Sequence, residues 1–330
     1  MMHDAVVGDD VLGEDPTVSK LEAMAAEMLD KESGLFLASG TMANLVAVHA
    51  LTRPGEQIIV HENAHIFNLE AGGLASICGV QARPISAKNG IYPVEEIRKH
   101  IHQASLQQAP TTLLCMENSH DLNRGLAIPA AHLNEVCKAV KEQGVQVYLD
   151  GARIFNAAVA LNTEPSKLAA GFDLVAFCLS KGLACPIGSI LLGSRNYINT
   201  ARRTRQRLGG GWRQAGVIAA AGIVALVEMI ERLAEDHENA KILAFRLENI
   251  GFNIDLHLVQ TNIVFLDLAH HQIMAKDFAD SLAKKSVLVK PVGTHAVRFV
   301  THKDISNTDI ETVVAKVEEF LREHKSQSFH

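Results

Sequence analysis

The 330 residues carry 48% hydrophobic and 21% charged side chains with a formal net charge of −6. That is an ordinary globular mixture, longer than one hydrophobic core usually organises, so two domains are expected. The balance offers no basic face for a phosphate backbone and argues against nucleic acid as a partner. Five cysteines, Cys78, Cys115, Cys137, Cys178 and Cys185, lack CxxC or Cys/His spacing, which speaks against a disulfide framework or a metal centre and for buried thiols in a reducing cytoplasm. The start of the chain has no apolar run of a secretory signal, and no stretch is long enough to cross a membrane. The longest apolar stretch, around 215–229, contains Gly216 and Gly222 and runs into Glu231, Arg232 and Glu235, the pattern of a buried core helix.

In chain order, apolar periodicity predicts a helix over 16–30, with Thr17 or Ser19 available as its cap. Residues 37–44, Leu-Ala-Ser-Gly-Thr-Met-Ala-Asn, read as a strand or turn entering a helix. Ser39, Gly40 and Thr41 there would present free backbone N–H groups to a phosphate, or Ser39 or Thr41 would simply cap the helix. Short apolar runs at 57–60, 77–85, 112–116, 145–149, 174–178 and 189–192 read as strands buried between helical layers. Together they predict an α/β domain with a mainly parallel sheet. A helix over 129–143, closed by Gly144, fits the same grammar.

Ligands of open α/β sheets gather beyond the carboxyl ends of the strands, and two motifs lie there. Cys178-Leu179-Ser180-Lys181-Gly182 places a lysine after one strand, beside a hydroxyl suited to a phosphate and among small residues that admit a bulky group; Lys181 would be an amine nucleophile or simply a solvated loop residue. Tyr148-Leu149-Asp150-Gly151-Ala152-Arg153 places a carboxylate after another. Asp150 there would pair with a protonated pyridine nitrogen or merely cap the next helix. His65, in Glu62-Asn63-Ala64-His65-Ile66, would lie on a cofactor ring, act as a base, or be an ordinary polar residue. Arg213 follows three glycines and Arg298 sits in a predicted strand; each suits a carboxylate or phosphate, or is simply an exposed charge.

Beyond these motifs an amphipathic stretch spans 214–250. Strands at 253–256, 262–268 and 297–301, with helices at 275–285 and 304–324, then form a smaller α+β unit. The expected division is 1–236 and 237–330.

Taken together, the runs VGDDVLGEDPTV, ASGTMANL, AHIFNLEAGG, MENSH, DGARIFNAAVA, CLSKGLACPIGSILLG, ARRTRQRLGGGWRQAG and VRFVTHKDIS resemble, in order and over nearly the whole chain, the threonine aldolase and β-eliminating lyase family of fold type I pyridoxal-phosphate enzymes. The resemblance implies a seven-stranded, mainly parallel sheet in the large domain. It also implies that Lys181 forms the Schiff base with pyridoxal 5′-phosphate and that Asp150 binds the pyridine nitrogen. Ser39, Gly40, Thr41 and Ser180 would surround the phosphate, and His65 would stack on the ring. Arg153 and Arg298 would hold the substrate carboxylate and the cofactor 3′-oxygen, and Arg213 would reach a phosphate from a neighbouring subunit. His102 matches the family histidine that contacts the substrate hydroxyl, so His65, His102 or water between them is the expected base. A cytoplasmic homo-oligomer, tetramer or dimer, acting on a small amino acid is implied.

The sequence departs from the family pattern at Leu12, commonly Tyr, and at Gln206, commonly Lys; the family's opening Arg-Ser-Asp-Thr-Val-Thr run has no counterpart, so a shortened N-terminal arm is expected. The implied reaction is retro-aldol cleavage of a β-hydroxy-α-amino acid to glycine and an aldehyde. The alternatives are β-elimination from a β-substituted amino acid and a cofactor-binding homologue without efficient catalysis.

Overall fold

A computed structural model describes residues 1–327. The chain divides into two compact units. The first comprises Met1–Asn123 and Ala127–Glu231; the second comprises Arg124–Leu126 and the residues from Arg232 onward.

Seven strands build the sheet of the first unit: β1 Ser33–Leu37, β2 Gln57–His61, β3 Gln81–Ile85, β4 Thr111–Glu117, β5 Gln146–Asp150, β6 Leu174–Cys178 and β7 Ser189–Gly193. Their order is β1-β7-β6-β5-β4-β2-β3. The stretch from β3 to β6 is parallel, whereas β7 runs antiparallel to both β6 and β1. Strands β2, β6 and β7 are buried at every position, as continuous apolar runs between helical layers require. β3 ends the sheet, and its exposed Gln81, Arg83 and Pro84 mark a blunted edge. Residues 77–80, expected as part of this strand, are not extended. Ile77 closes a short helix, Gly73–Ser76, and Gly79 has φ +68°, so the strand starts only at Gln81.

The expected helix at 16–30 is Pro16–Met28. Its cap is Asp15 rather than Thr17 or Ser19: one carboxylate oxygen takes the N–H groups of Thr17 and Val18, while the other takes those of Gly8 and Gly216. A carboxylate can accept on both oxygens, and a Ser or Thr hydroxyl could not serve all four donors. Gly216 opens the apolar helix Gly216–Glu228, and a side chain there would meet the Asp15 carboxylate at 2.5 Å. All five cysteines are buried and unpaired, and no helix of the described residues is long and apolar enough to cross a membrane.

The amphipathic stretch 214–250 forms two helices, Gly216–Glu228 and Leu233–Asn249. The second starts where Arg232 turns its guanidinium onto Glu235 and Asp236 of its own first turn, an acidic start that suits a helix N-terminus. In the second unit β8 Ile263–Asp267, β9 Lys290–Pro291 and β10 Ala296–Val300 pair in the order β8-β10-β9. Residues 253–256 are not a strand: Asp255 accepts from the N–H of His257 and curls the chain into a short 3-10 turn, Leu256–Leu258.

Candidate active site

The carboxyl ends of β4, β5 and β6 lie side by side, with Glu117 opposite Asp150 and Asp150 opposite Ala176. This edge gathers most of the polar residues singled out in the sequence. Asp150 is 7% exposed. Its Oδ1 takes the N–H of Ala152 at 3.1 Å, and its Oδ2 takes the side-chain amide of Asn44 at 2.9 Å. Each oxygen keeps a further lone pair, so the carboxylate can still receive a protonated ring nitrogen.

Asn44 belongs to the helix Gly40–Leu51, whose N-terminus also reaches this edge. Ser39 caps it by accepting from Met42 N–H at 3.1 Å, and Ala43 N–H returns to the Ser39 carbonyl. The N–H groups of Gly40 and Thr41 belong to the first turn, where a helix has no internal acceptor, and they favour an anion. Gly40 is pressed against the end of β6: a Cβ on it would stand 2.8 Å from Cys178 Sγ. The helix N-terminus is therefore beside the start of the Ser180–Lys181 loop.

That loop is closed at its neck. Leu179 and Ser180 donate backbone N–H groups to the Gly188 carbonyl, and Cys185 donates to the Leu179 carbonyl. Gly188, at φ +116°, admits no side chain, because a Cβ would come 2.5 Å from the Phe36 ring. Ser180 is exposed and Lys181 half-buried on this fixed loop.

His65 opens the short helix His65–Asn68. Its backbone N–H donates to Glu117 Oε2 at 3.0 Å, and its ring Nδ1 contacts Glu70 Oε1 at 2.8 Å. The Glu70 carboxylate raises the pKa of the His65 imidazole; burial opposes this, the Asp150 charge adds to it and the nearby Lys181 ammonium works against it. Burial raises the pKa of Glu70 itself, offset by the His65 contact. Both directions have one meaning: the pair keeps its shared proton to higher pH than an isolated imidazole does.

Arg153, at the start of the helix Ile154–Ala160, sets its guanidinium 3.6 Å from Asp121. Asp121 N–H in turn donates to Glu117 Oε1 at 2.7 Å. Burial, and then the Asp150 charge, push the Glu117 carboxyl up to about 7. One carboxyl group thus ties the turn that carries His65 to the turn that faces Arg153.

Two expected residues stand elsewhere. His102 exchanges backbone-level hydrogen bonds with Thr111, which opens β4. Glu117 closes that strand six residues on, roughly 20 Å away at the usual strand rise, so within one chain His102 does not join the group. Arg213 is exposed and ion-paired with Asp9 at 2.7 Å. In the second unit, Arg298 is half-buried on β10, opposite Phe265 and Lys290.

Sequence reasoning missed Asn44, Glu70, Glu117 and His120. Glu117 and His120 lie in the MENSH run, Glu70 in the run that follows His65 and Asn44 in the run that follows Gly40, but polar residues at those spacings have no diagnostic pattern of their own. His65, Glu70 and Asp150 each offer one atom within 4.8 Å of the others, a set that could suggest a metal. The amide nitrogen of Asn44 donates to both carboxylates, and this makes the trio a hydrogen-bonded chain.

The description of β-eliminating lyases as a family matches residues 1–271. The chain belongs to the β-eliminating lyase family. It is 40% identical over 321 residues to the low specificity L-threonine aldolase of Escherichia coli K12, covering 97% of this chain and 94% of that one. It is 37% identical over 316 residues to low-specificity L-threonine aldolase 1 of Arabidopsis thaliana, covering 94% and 88%. A threonine aldolase of Leishmania major has the same fold, with a TM-score of 0.80, 19% identity and 94% and 91% coverage. Membership makes this chain a pyridoxal-phosphate-dependent lyase of fold type I. The residues at this edge fit that cofactor: an anion-ready helix N-terminus, a buried carboxylate with spare lone pairs, and an amine on a fixed loop.

Proposed function

We propose that this β-eliminating lyase cleaves L-threonine, L-allo-threonine and related β-hydroxy-α-amino acids to glycine and an aldehyde. The observation that carries the reading is the convergence of Asp150, His65, the Gly40 helix N-terminus and the Ser180–Lys181 loop on one sheet edge, in a chain of this family so similar to aldolases.

Lys181 would hold pyridoxal 5′-phosphate covalently, Asp150 would face its ring nitrogen, and Ser39, Gly40, Thr41 and Ser180 would hold its phosphate. When bound, the cofactor supplies an electron sink for the pair left as the Cα–Cβ bond breaks. Burial of Asp150 and Glu70 keeps water from competing for their hydrogen bonds and strengthens both. His65 takes the β-hydroxyl proton; this is the base the geometry favours, since His102 lies at the far end of β4. By the resemblance, Arg153 and Arg298 would serve the substrate carboxylate and the cofactor 3′-oxygen, where a charge-assisted contact is roughly twice as strong as a neutral one. Arg213 exchanges its Asp9 partner for a phosphate of a second copy, in a homo-oligomer whose size light scattering would give.

The test is product identity. Incubation with L-threonine should release glycine and acetaldehyde, and with O-acetylserine little or no pyruvate; pyruvate without glycine would replace this reading with β-elimination.

A further inference from the structure

Asn44 is 2% exposed and Glu70 5%, so neither can turn to water for a partner. The Asn44 amide nitrogen has two protons, one donated to Asp150 Oδ2 at 2.9 Å and one to Glu70 Oε1 at 2.6 Å. Its oxygen accepts the Tyr148 hydroxyl at 2.6 Å. Carboxylates demand donors, so this amide has a single orientation that satisfies all its neighbours. Glu70 Oε1 also faces His65 Nδ1 at 2.8 Å, while Oε2 has no hydrogen-bond partner among the described residues. The negative charge of Glu70 is therefore engaged at the one atom that meets the imidazole.

An imidazole that gives its Nδ1 proton to a carboxylate keeps a lone pair on Nε2, and only that nitrogen can accept a proton. We propose that Glu70 and Asn44 are positioning residues that make Nε2 of His65 the proton-accepting atom: Glu70 fixes the Nδ1–H form and the ring plane, and Asn44 holds Glu70 and Asp150 in one line. The inference rests on the aldolase reading for the identity of the proton, the β-hydroxyl one. Its geometry concerns this chain's own residues. The proton moves from the substrate hydroxyl to Nε2, which leaves the imidazole positive and the balancing negative charge on the substrate; the Nδ1 proton stays between His65 and Glu70, and no other side chain need change charge. Titratable neighbours facing the pair are Asp150 and Tyr148 from β5, Glu117 and Cys115 from β4, Cys78 from the turn before β3 and Lys181 from the loop after β6.

Glu70→Gln keeps an acceptor for Nδ1–H but removes the charge, whereas Glu70→Leu removes both. In the cofactor-loaded protein without substrate, ring ¹⁵N shifts of His65 should report Nδ1–H in the wild type and in Glu70→Gln, and its loss in Glu70→Leu. With threonine, Glu70→Leu should lower kcat about 100-fold, the low end of a general base's contribution. Glu70→Gln should keep kcat within about tenfold at alkaline pH and move the acidic limb of the kcat profile down, since an uncharged partner no longer supports His65⁺. Asn44→Leu should weaken cofactor binding about tenfold through Asp150, read by absorbance titration of the apo-protein. A role in packing alone would leave the acidic limb in place. An Nε2–H ring in the wild type, or wild-type kcat in Glu70→Leu, would overturn the proposal. If the wild type cleaves no β-hydroxy amino acid, the aldolase reading fails by itself, and the ring shifts still decide the tautomer.

Discussion

His120 is 1% exposed, and neither ring nitrogen has a hydrogen-bond partner among the described residues. Its nearest neighbours are the His61 ring, edge-on at 4.7 Å, and Glu117 Oε1 at 3.8 Å. Burial depresses its pKa to about 4 from the ordinary 6.5. The sign follows: between those values the unfolded chain binds a proton that the native state refuses, so stability is full above the ordinary value and is lost as pH falls toward 4. Over the whole span the loss is about 3 kcal/mol, and near pH 5 it is ~2 kcal/mol relative to pH 7.5. His120→Leu removes the titration without breaking any hydrogen bond and keeps an apolar body of similar size. The variant should match or exceed the wild type near neutrality, and should exceed it by a further ~2 kcal/mol near pH 5.

Glu117 has the opposite slope, because its raised pKa of about 7 makes stability fall as pH rises; shared by both proteins, it cancels in the difference. Urea unfolding followed by Trp212 fluorescence is a suitable assay. This is the one tryptophan of the chain, it lies edge-on to Phe36, and it reports on the same unit as His120. Parallel pH dependences for wild type and His120→Leu would refute the reasoning, as would a His120 resonance that titrates near the ordinary imidazole value.

Lys181→Ala should bind cofactor without the long-wavelength absorption of the lysine-linked form; an unchanged spectrum would remove Lys181 from its role. Gly40→Ala drives a methyl group toward Cys178 Sγ, 2.8 Å from the Cβ position, and should cost about 1 to 3 kcal/mol of stability together with phosphate affinity. Gly40→Ala with Cys178→Ala should recover both, and failure of that rescue would locate the fault elsewhere. Arg298→Ala should raise KM for threonine by the loss of a charge-assisted contact worth about 1.5 to 3 kcal/mol, with cofactor affinity near normal; a fall in cofactor affinity instead would assign Arg298 to the cofactor or the fold.

What the sequence made legible was whatever repeats along the backbone or ends it. Continuous apolar runs located five of the seven sheet strands closely, because a strand buried on both faces has no alternative composition. β3 was overextended, since the apolar Ile77, Cys78 and Val80 carry no sign that Gly79 turns the chain away from extension. β1 was half-hidden, because Ser33 and Gly34 open it and its partner lies far along the chain, at Leu192 and Gly193. Lys181 and Asp150 were legible for the same reason as the strands: Asp150 closes β5, Lys181 stands in the loop after β6, and parallel pairing puts both endings on one edge.

The residues that set the behaviour of that edge were not legible, and the cause is physical. Asn44, Glu70 and Glu117 act through contacts with residues 106, 5 and 52 positions away, and nothing in the local composition of a helix interior or a strand end distinguishes a carboxylate that will be buried from one that caps a turn. His102 was placed by resemblance, as the histidine shortly before the Thr-Leu-Leu strand, a position that already belongs to that strand's amino end. The backbone bonds to Thr111 put it at the amino end of β4, where a parallel sheet keeps its connections rather than its chemistry. His65 reaches the carboxyl edge because β2 delivers it there and Glu117 accepts its N–H. Strand direction, more than residue type, thus separates the two histidines, and it is the reason that the proposed proton transfer is assigned to His65 rather than His102.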